Sequence, residues 1–132
     1  MGEAQVDSRL LMAAASLAAV TGALHLYFAF TFFPAEPGLM YAFIGIGVID
    51  FIGAGAAFLR YKLPLVLKVG LVWMILMILT WAGGAAAGRA PNFQPIAFVD
   101  KGIEALCLLL ILVLIRQQRG GSESNGAPSR ES

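Results

Sequence analysis

Three ionisable residues lie well inside long apolar stretches of this chain: His25, Asp50 and Glu104. Charged groups at membrane depth are costly, and they usually face a bundle interior or a cavity, where they mark a possible site. One imidazole and two carboxylates could exchange protons, because burial shifts the pKa of such groups from its value in water. They could also bind a divalent cation, or simply hydrogen-bond helices together. The residue types leave all three alternatives open, and hydrogen bonding between helices is favoured.

Two further charged residues precede Glu104. Asp100, Glu104 and Cys107 share one face of a helix by their three-or-four spacing, and Lys101 stands three residues before Glu104, where the two can pair. Acidic residues in the first turns suit the positive end of the helix dipole, so we expect Asp100 and Lys101 to lie at the interface. No local metal-ligand spacing is present, so a metal is neither predicted nor excluded. The candidate polar cluster is His25, Asp50, Asp100, Lys101 and Glu104.

Four apolar stretches must position this cluster: 10–33, 39–59, 65–87 and 96–115. Each has roughly the 20 residues that cross a hydrocarbon core about 30 Å thick. The 132-residue chain is 59% hydrophobic with a mean hydropathy of +0.81, above the ~45–50% apolar content of soluble domains. The connections are short and rich in proline and glycine, which favours antiparallel neighbours. The sequence therefore predicts an all-α fold over 1–115, an integral membrane antiparallel four-helix bundle of up-down-up-down topology.

The ends of the chain predict its orientation. Beyond residue 115 the composition becomes polar and glycine-rich, so we expect 116–132 to form a disordered cytoplasmic tail. Basic residues concentrate on the cytoplasmic side of membrane proteins. With both termini in the cytoplasm, the inside carries seven of them (Arg9, Arg60, Lys62, Lys68, Arg116, Arg119 and Arg130) and the outside two (Arg89 and Lys101). We therefore expect a multi-pass protein of the cell membrane with both termini cytoplasmic.

Small residues predict how the first two helices pack. They recur on one face of each helix: Ala14, Ala18 and Gly22 on the first, and Gly47, Gly53 and Ala57 on the second. Small residues at such spacing let helix backbones approach closely, which drives association in lipid. The same two faces carry His25 and Asp50, so we expect both side chains to point into the bundle.

Depth along the helices suggests that the ionisable groups meet. At about 1.5 Å per residue from the outer ends, His25 and Glu104 lie about 12 Å deep and Asp50 about 16 Å. The difference between these depths is smaller than the uncertainty in the predicted helix ends. The three side chains are therefore predicted to form one layer in the outer half of the bundle.

The absence of several well-known sequence motifs excludes some classes of function. The chain has no phosphate loop, nucleophile elbow, His-Glu-x-x-His or Cys-x-x-Cys motif, and a single histidine cannot supply bis-histidine haem ligation. A net charge of +1 without a basic patch speaks against a nucleic-acid partner. We expect no catalytic residues and no cofactor, and a non-enzymatic accessory or oligomer-forming component of the lipid bilayer or of a larger membrane complex. The alternative is a proton- or cation-linked transporter-like protein that uses Asp50 and Glu104.

Two short segments resemble a known family. Residues 21–27 (Thr-Gly-Ala-Leu-His-Leu-Tyr) and 99–104 (Val-Asp-Lys-Gly-Ile-Glu) are similar to a family of small four-helix membrane proteins common in halophilic archaea. The similarity covers most of the helical region and not the tail. It implies the same architecture and adds no activity.

Overall fold

The computed structural model describes residues 5–124, and within that range it is all-helical, without strands. The fold class predicted from the apolar stretches is therefore confirmed at the level of four long helices. The elements are α1 (Ser8–Phe32), α2 (Pro37–Phe58), α3 (Leu63–Ala86), a short 3₁₀ helix (Ala90–Phe93) and α4 (Pro95–Ser124).

Local chemistry sets where the helices begin. The Asp7 carboxylate caps α1 by accepting from the backbone N–H groups of Arg9 and Leu10 at 2.7 and 3.2 Å. Pro37 and Pro64 lie in the first turns of α2 and α3, where the missing N–H has no intrahelical partner to lose. The three helices thus start within two residues of the predicted boundaries.

Helix α4 is longer than expected and replaces part of the predicted disordered tail. Disorder was expected from residue 116, whereas α4 continues to Ser124. Leu114 and Ile115 are buried, and the Gln117 side-chain oxygen accepts from the backbone N–H of Asp7 at 2.9 Å. This contact with the start of α1 holds the turn that follows the apolar stretch. The remainder of the predicted tail, 125–132, lies outside the described residues.

Contacts between helix ends show how the helices are arranged. The Arg60 guanidinium, after the end of α2, donates to the Ser8 hydroxyl at the start of α1 at 2.7 Å. At the opposite end, Trp81 of α3 packs edge-on against Phe98 of α4, with ring centroids 5.3 Å apart. Extensive contacts join α1 to α2, α1 to α4 and α3 to α4, whereas α2 and α3 touch over a much smaller area. The result is a ring of four helices with one thin seam.

Three helices, α1, α2 and α3, are long and apolar enough to cross a membrane, and α4 does not meet that standard by composition. The prediction of four such helices is therefore met by three. The reason lies in the sequence of α4, where Asp100, Lys101 and Glu104 occupy the first turns and Arg116 follows the apolar stretch. The uncharged stretch between Glu104 and Arg116 covers only about 16 Å at 1.5 Å per residue.

The apolar core lies at the end of the bundle where α1 starts and α2 ends. It is a continuous cluster of buried side chains from all four helices, and the described members of α3 and α4 include Leu67, Met74, Ile111 and Leu114. We call this end the inner half and the end holding the α1–α2 connection the outer half. Around the circumference, large apolar side chains such as Ile52 and Leu79 are more than 60% exposed.

The predicted small-residue faces are partly correct. Gly22 and Gly47 mark the closest crossing of α1 and α2, because a Cβ on Gly47 would lie 2.8 Å from the Gly22 carbonyl oxygen. Ala57 is buried in the same helix, as predicted. Gly53 is wrongly assigned: it is exposed, and a Cβ there would meet no atom of the described chain within 4 Å. It faces the thin α2–α3 seam instead of α1.

The other two small residues of α1 lie nearer its inner end. Ala14 is buried, and its carbonyl accepts from the Cys107 thiol of α4 at 3.5 Å. Ala18 is half-buried beside the seam. The small-residue face of α1 thus contacts α4 near its inner end and α2 nearer its outer end.

Candidate functional site

His25, on α1, is the centre of the site. Its ring is 3% exposed, and Nδ1 donates to the Thr21 carbonyl one turn earlier at 2.9 Å. The Asp50 Oδ2 atom of α2 lies 3.1 Å from the same nitrogen. Both neighbours of Nδ1 are acceptors, so this nitrogen carries the proton, and Nε2 of the neutral ring presents its lone pair.

The lone pair of Nε2 faces two carboxylates of α4. Glu104 Oε1 is 3.7 Å away and Asp100 Oδ2 is 3.9 Å away. Both side chains are fully buried, and they lie one helical turn apart on the same face. A ring lone pair and two carboxylate oxygens repel one another unless a proton or another cation lies among them. The arrangement is therefore a pocket for positive charge.

Lys101 supplies part of that positive charge. Its ammonium donates to Glu104 Oε1 at 2.6 Å and lies 3.0 Å from Asp100 Oδ2. The Lys101–Glu104 pair predicted from the spacing is thus formed. In the described part of the chain the cluster sets three carboxylates against this one ammonium group. With all three carboxylates ionised, it retains an excess of negative charge whether or not His25 is protonated.

Asp50 is held from two other helices. The Trp73 indole Nε1 of α3 donates to Asp50 Oδ1 at 2.7 Å, while Oδ2 lies against His25 of α1. The close crossing at Gly22 and Gly47 brings α2 near enough for this contact. The Thr21 carbonyl, which accepts from Nδ1 of the same ring, orients the ring and makes the other nitrogen a better ligand.

Several carboxylate oxygens are buried without a hydrogen bond. Within residues 5–124, none is formed to Asp50 Oδ2, to either oxygen of Asp100 or to Glu104 Oε2. The Lys101 ammonium near Asp100 and the His25 ring near Asp50 are close enough to attract but are not aligned to donate. A buried unsatisfied acceptor costs about 1–3 kcal/mol, and more if it is charged. The described side chains thus supply no aligned donor to these four oxygens.

A cavity of about 670 Å³ leads to this cluster from the outer end of the bundle. At its deep end it is lined by His25, Asp100 and Lys101, and at its outer end by the connecting-loop residues Arg89 and Asn92. Liquid water occupies about 30 Å³ per molecule, so the cavity has room for a hydrated ion. The cluster is accordingly accessible from one end of the molecule.

A second cavity, of about 290 Å³, lies on the opposite side of Asp50. It follows the α2–α3 seam in the inner half, is almost wholly apolar and ends at Asp50 and Trp73. The hydrogen bond between these two residues therefore lies at the end of the apolar inner cavity.

All five predicted cluster residues are brought together by the fold. The expected layer of His25, Asp50 and Glu104 exists, with contacts of 3.1 and 3.7 Å on the two ring nitrogens. Asp100 was expected at the interface but is fully buried beside His25. Its four-residue spacing from Glu104, which places both on one face, was the signal for this position. Trp73 was missed, because an indole in an apolar helix carries no mark of its partner.

The fold and the site together define a class: a four-helix protein with a histidine–carboxylate cluster buried beneath a cavity open at one end. Compared with protein-family models, curated proteins and solved structures, the chain matches none.

Proposed function

We propose that the chain is an integral membrane protein in which α4 crosses the bilayer together with α1, α2 and α3. The charged residues that lower the apolarity of α4 do not face lipid, because Asp100 and Glu104 are fully buried against the other helices. Charged groups of membrane helices are tolerated in such interior positions. The exposed apolar side chains around the circumference support the same assignment.

The proposed topology is an antiparallel up-down-up-down bundle in the cell membrane with both termini in the cytoplasm. Arg60 lies beside Ser8 at the inner end, and Arg116 follows the apolar stretch of α4 at that end. Arg89 lies in the loop at the outer end, beside the cavity. The larger number of basic residues at the inner end supports a cytoplasmic position for it. The cavity would then open to the outside of the cell.

The function we propose is cation-linked transport, with the buried cluster as the binding site. The observation that carries it is the set of unsatisfied carboxylate oxygens around His25 Nε2 at the deep end of the cavity. A cluster that served packing alone would need neutral charge and satisfied oxygens, because unpaired charges in a low dielectric are strongly destabilising. A cation entering from the cavity supplies what the described side chains lack.

Flux measurements in vesicles test this function. The full-length protein is reconstituted, and the fluxes of H⁺, Na⁺, Mg²⁺ and Zn²⁺ are followed in turn with trapped fluorescent indicators. The parent is compared with Asp50→Asn and Glu104→Gln at equal folded yield. Asp7→Asn is the control, because Asp7 is an exposed carboxylate at the inner end and an amide oxygen can still cap α1. We expect flux of at least one cation in the parent and the control, and loss of more than tenfold in both cluster variants. Absence of flux of all four cations in the parent contradicts the proposal.

A second candidate, a non-enzymatic accessory or oligomer-forming component, is favoured by one observation. Asp50 touches His25 of α1 and accepts from Trp73 of α3, so it ties three helices together. In this case the cluster fixes the packing and a partner protein supplies the activity. Asp50→Asn would then lower the folded yield severalfold, and the parent would show no flux. An unchanged yield excludes this role for Asp50.

We also propose membership of the small four-helix family of halophilic archaea. The segments that carry the resemblance, 21–27 and 99–104, contain four of the five cluster residues and form its α1 and α4 walls.

A further inference from the structure

We propose that His25, Asp100 and Glu104 bind one divalent first-row transition-metal ion, with Zn²⁺ as the reference case. The proposal deepens the cation-linked function above by naming the class of cation, and it rests on the same cluster. Its ligands would be His25 Nε2 and one carboxylate oxygen each from Asp100 and Glu104.

The positions of the donor atoms fit such an ion. One donor atom from each of the three residues lies within 4.8 Å of the others, and the two distances from Nε2 are 3.7 and 3.9 Å. Around a tetrahedral Zn²⁺ with ligand distances near 2.0–2.2 Å, neighbouring donors are separated by about 3.4 Å. The two distances from Nε2 need to contract by only a few tenths of an ångström, and the two carboxylate oxygens, which lie within 4.8 Å of each other, by up to about 1.4 Å. A water molecule from the cavity can occupy the remaining position.

The chemistry of the donors selects the metal class. Mg²⁺ and Ca²⁺ prefer oxygen ligands throughout, whereas an imidazole together with carboxylates suits zinc, iron and related ions. The protonation of Nδ1 leaves Nε2 free to coordinate, and it points toward the two carboxylates. Asp100 is fully buried, and its Oδ2 faces Nε2 without a hydrogen bond from any described residue.

A second layer of contacts orients the ligand ring. Asp50 lies behind His25 at 3.1 Å from Nδ1 and is itself fixed by the Trp73 indole at 2.7 Å. The Thr21 carbonyl accepts from Nδ1 at 2.9 Å, and loss of such a second-layer partner of a metal-binding histidine typically costs 10–100-fold in metal affinity. Asp50 is thus a positioning residue in this proposal and not a ligand.

Lys101 acts as an internal counter-ion that the metal replaces. Its ammonium lies 2.6 Å from Glu104 Oε1 and 3.0 Å from Asp100 Oδ2, so it competes for the oxygens that the metal needs. The side chain is 13% exposed and lines the cavity, which leaves a route by which a flexible lysine can withdraw as the ion enters. Removing the ammonium should therefore strengthen metal binding.

Metal titration of the purified full-length protein tests the proposal. Zn²⁺ binding is measured by calorimetry, and Co²⁺ binding by its absorption spectrum, which reports the coordination geometry. We expect one ion per chain, with affinity reduced more than a hundredfold in His25→Gln, Asp100→Asn and Glu104→Gln. Asp7→Asn, an exposed position at the inner end where an amide oxygen can still cap α1, is the control and should bind as the parent does. Parent binding that is absent, or equal in all these variants, overturns the proposal.

The Lys101→Met variant gives a second readout that does not depend on losing a ligand. We expect it to bind Zn²⁺ and Co²⁺ at least about tenfold more tightly than the parent, with the same Co²⁺ spectrum. If Lys101 only stabilises the fold, this variant loses folded yield and gains no affinity, which overturns its proposed role. Mg²⁺ binding as tight as that of Zn²⁺ overturns the assignment to transition metals.

The two proposals fail in different ways. Flux of H⁺ or Na⁺ without Zn²⁺ or Co²⁺ binding overturns the metal assignment and leaves cation-linked transport standing. Tight Zn²⁺ binding in a protein that transports none of the four test cations overturns transport and leaves a resident metal site.

Discussion

The inner and outer halves of this bundle are built from the same four helices but are held together by different interactions. In the inner half, apolar side chains such as Leu67, Ile111 and Leu114 form a continuous core beside a cavity of about 290 Å³. In the outer half, the helices meet around His25 and its carboxylates beside a cavity of about 670 Å³. The contrast is between apolar packing at one end and buried charged side chains at the other.

This division has a physical reason. Apolar packing is non-directional and needs no partner atoms of a given charge, so it stabilises the inner half by itself. The outer cluster holds more carboxylates than described cations, and its net effect on stability therefore depends on what binds there. Variants in the two halves should therefore change the free energy of unfolding by different amounts. Four variants test this difference between the halves.

The largest effect is expected for Leu114→Ala in the inner half. Leu114 is fully buried, and deleting its side chain leaves a cavity, which should lower the free energy of unfolding by about 2–4 kcal/mol. Chemical unfolding in detergent measures this loss. Leu109→Ala on the same helix is the control, because Leu109 is 59% exposed and should change stability by less than about 0.5 kcal/mol. Equal losses in both would refute a packed inner core.

The Gly47→Ala variant tests the crossing that joins the halves. A Cβ at this position would lie 2.8 Å from the Gly22 carbonyl oxygen, so α1 and α2 must separate, at a cost of about 1–3 kcal/mol. Gly53→Ala has no described neighbour within 4 Å and should be neutral or stabilising by up to about 1 kcal/mol. Thermal unfolding of the pair measures the difference. A stable Gly47→Ala would disprove the close crossing.

A smaller effect is expected for Trp73→Phe, at the boundary of the halves. The variant removes the donor to Asp50 and should lower the free energy of unfolding by about 1.5–2 kcal/mol, as for other hydrogen bonds to a charged group. Trp81→Phe removes a 3.2 Å bond to the Asn92 carbonyl, a neutral acceptor, and should cost about 0.5–1 kcal/mol. If Trp73→Phe is the less harmful of the two, the Asp50 carboxylate does not depend on the indole.

The smallest effect on stability is expected for Glu104→Gln in the outer half. Measured with a chelator present, its free energy of unfolding should stay within about 1 kcal/mol of the parent. The variant removes one of several repelling carboxylates. The amide oxygen can still accept from Lys101, whose ammonium also lies 3.0 Å from Asp100 and so keeps a counter-charge. A loss as large as that of Leu114→Ala would show that the cluster stabilises the fold as much as the apolar core does.

Particular residues show how much of the fold and of the buried cluster can be predicted from the sequence. The four apolar stretches predicted the helices, and charges inside those stretches predicted the cluster, because such charges are too costly to face lipid. The spacing also predicted the Lys101–Glu104 pair. The polar composition after residue 115 predicts disorder, and it gives no sign of the contact between Asp7 and Gln117, residues 110 positions apart. Such contacts leave no periodic trace in the sequence.

The remaining differences have the same origin in tertiary packing. Asp100 was placed at the interface because depth along one helix does not reveal that the neighbouring helix extends beside it. Gly53 was placed on the α1 face because nothing in its spacing shows that α2 and α3 touch only weakly. Trp73 gave no signal, since its role depends on Asp50 of another helix. The positions of charged residues in the sequence identified the members of the cluster. The contacts between their atoms could be seen only in the folded structure.

The most direct test of the account is whether Zn²⁺ stabilises the outer half independently of the inner core. Unfolding is measured with and without Zn²⁺ for the parent, Leu114→Ala and Glu104→Gln. At about a hundred times the dissociation constant, a ligand specific for the folded state adds about 2.7 kcal/mol. We expect that gain in the parent and in Leu114→Ala and its absence in Glu104→Gln. No gain in the parent, or the same gain in Glu104→Gln, would contradict the proposal that the buried cluster is a metal site.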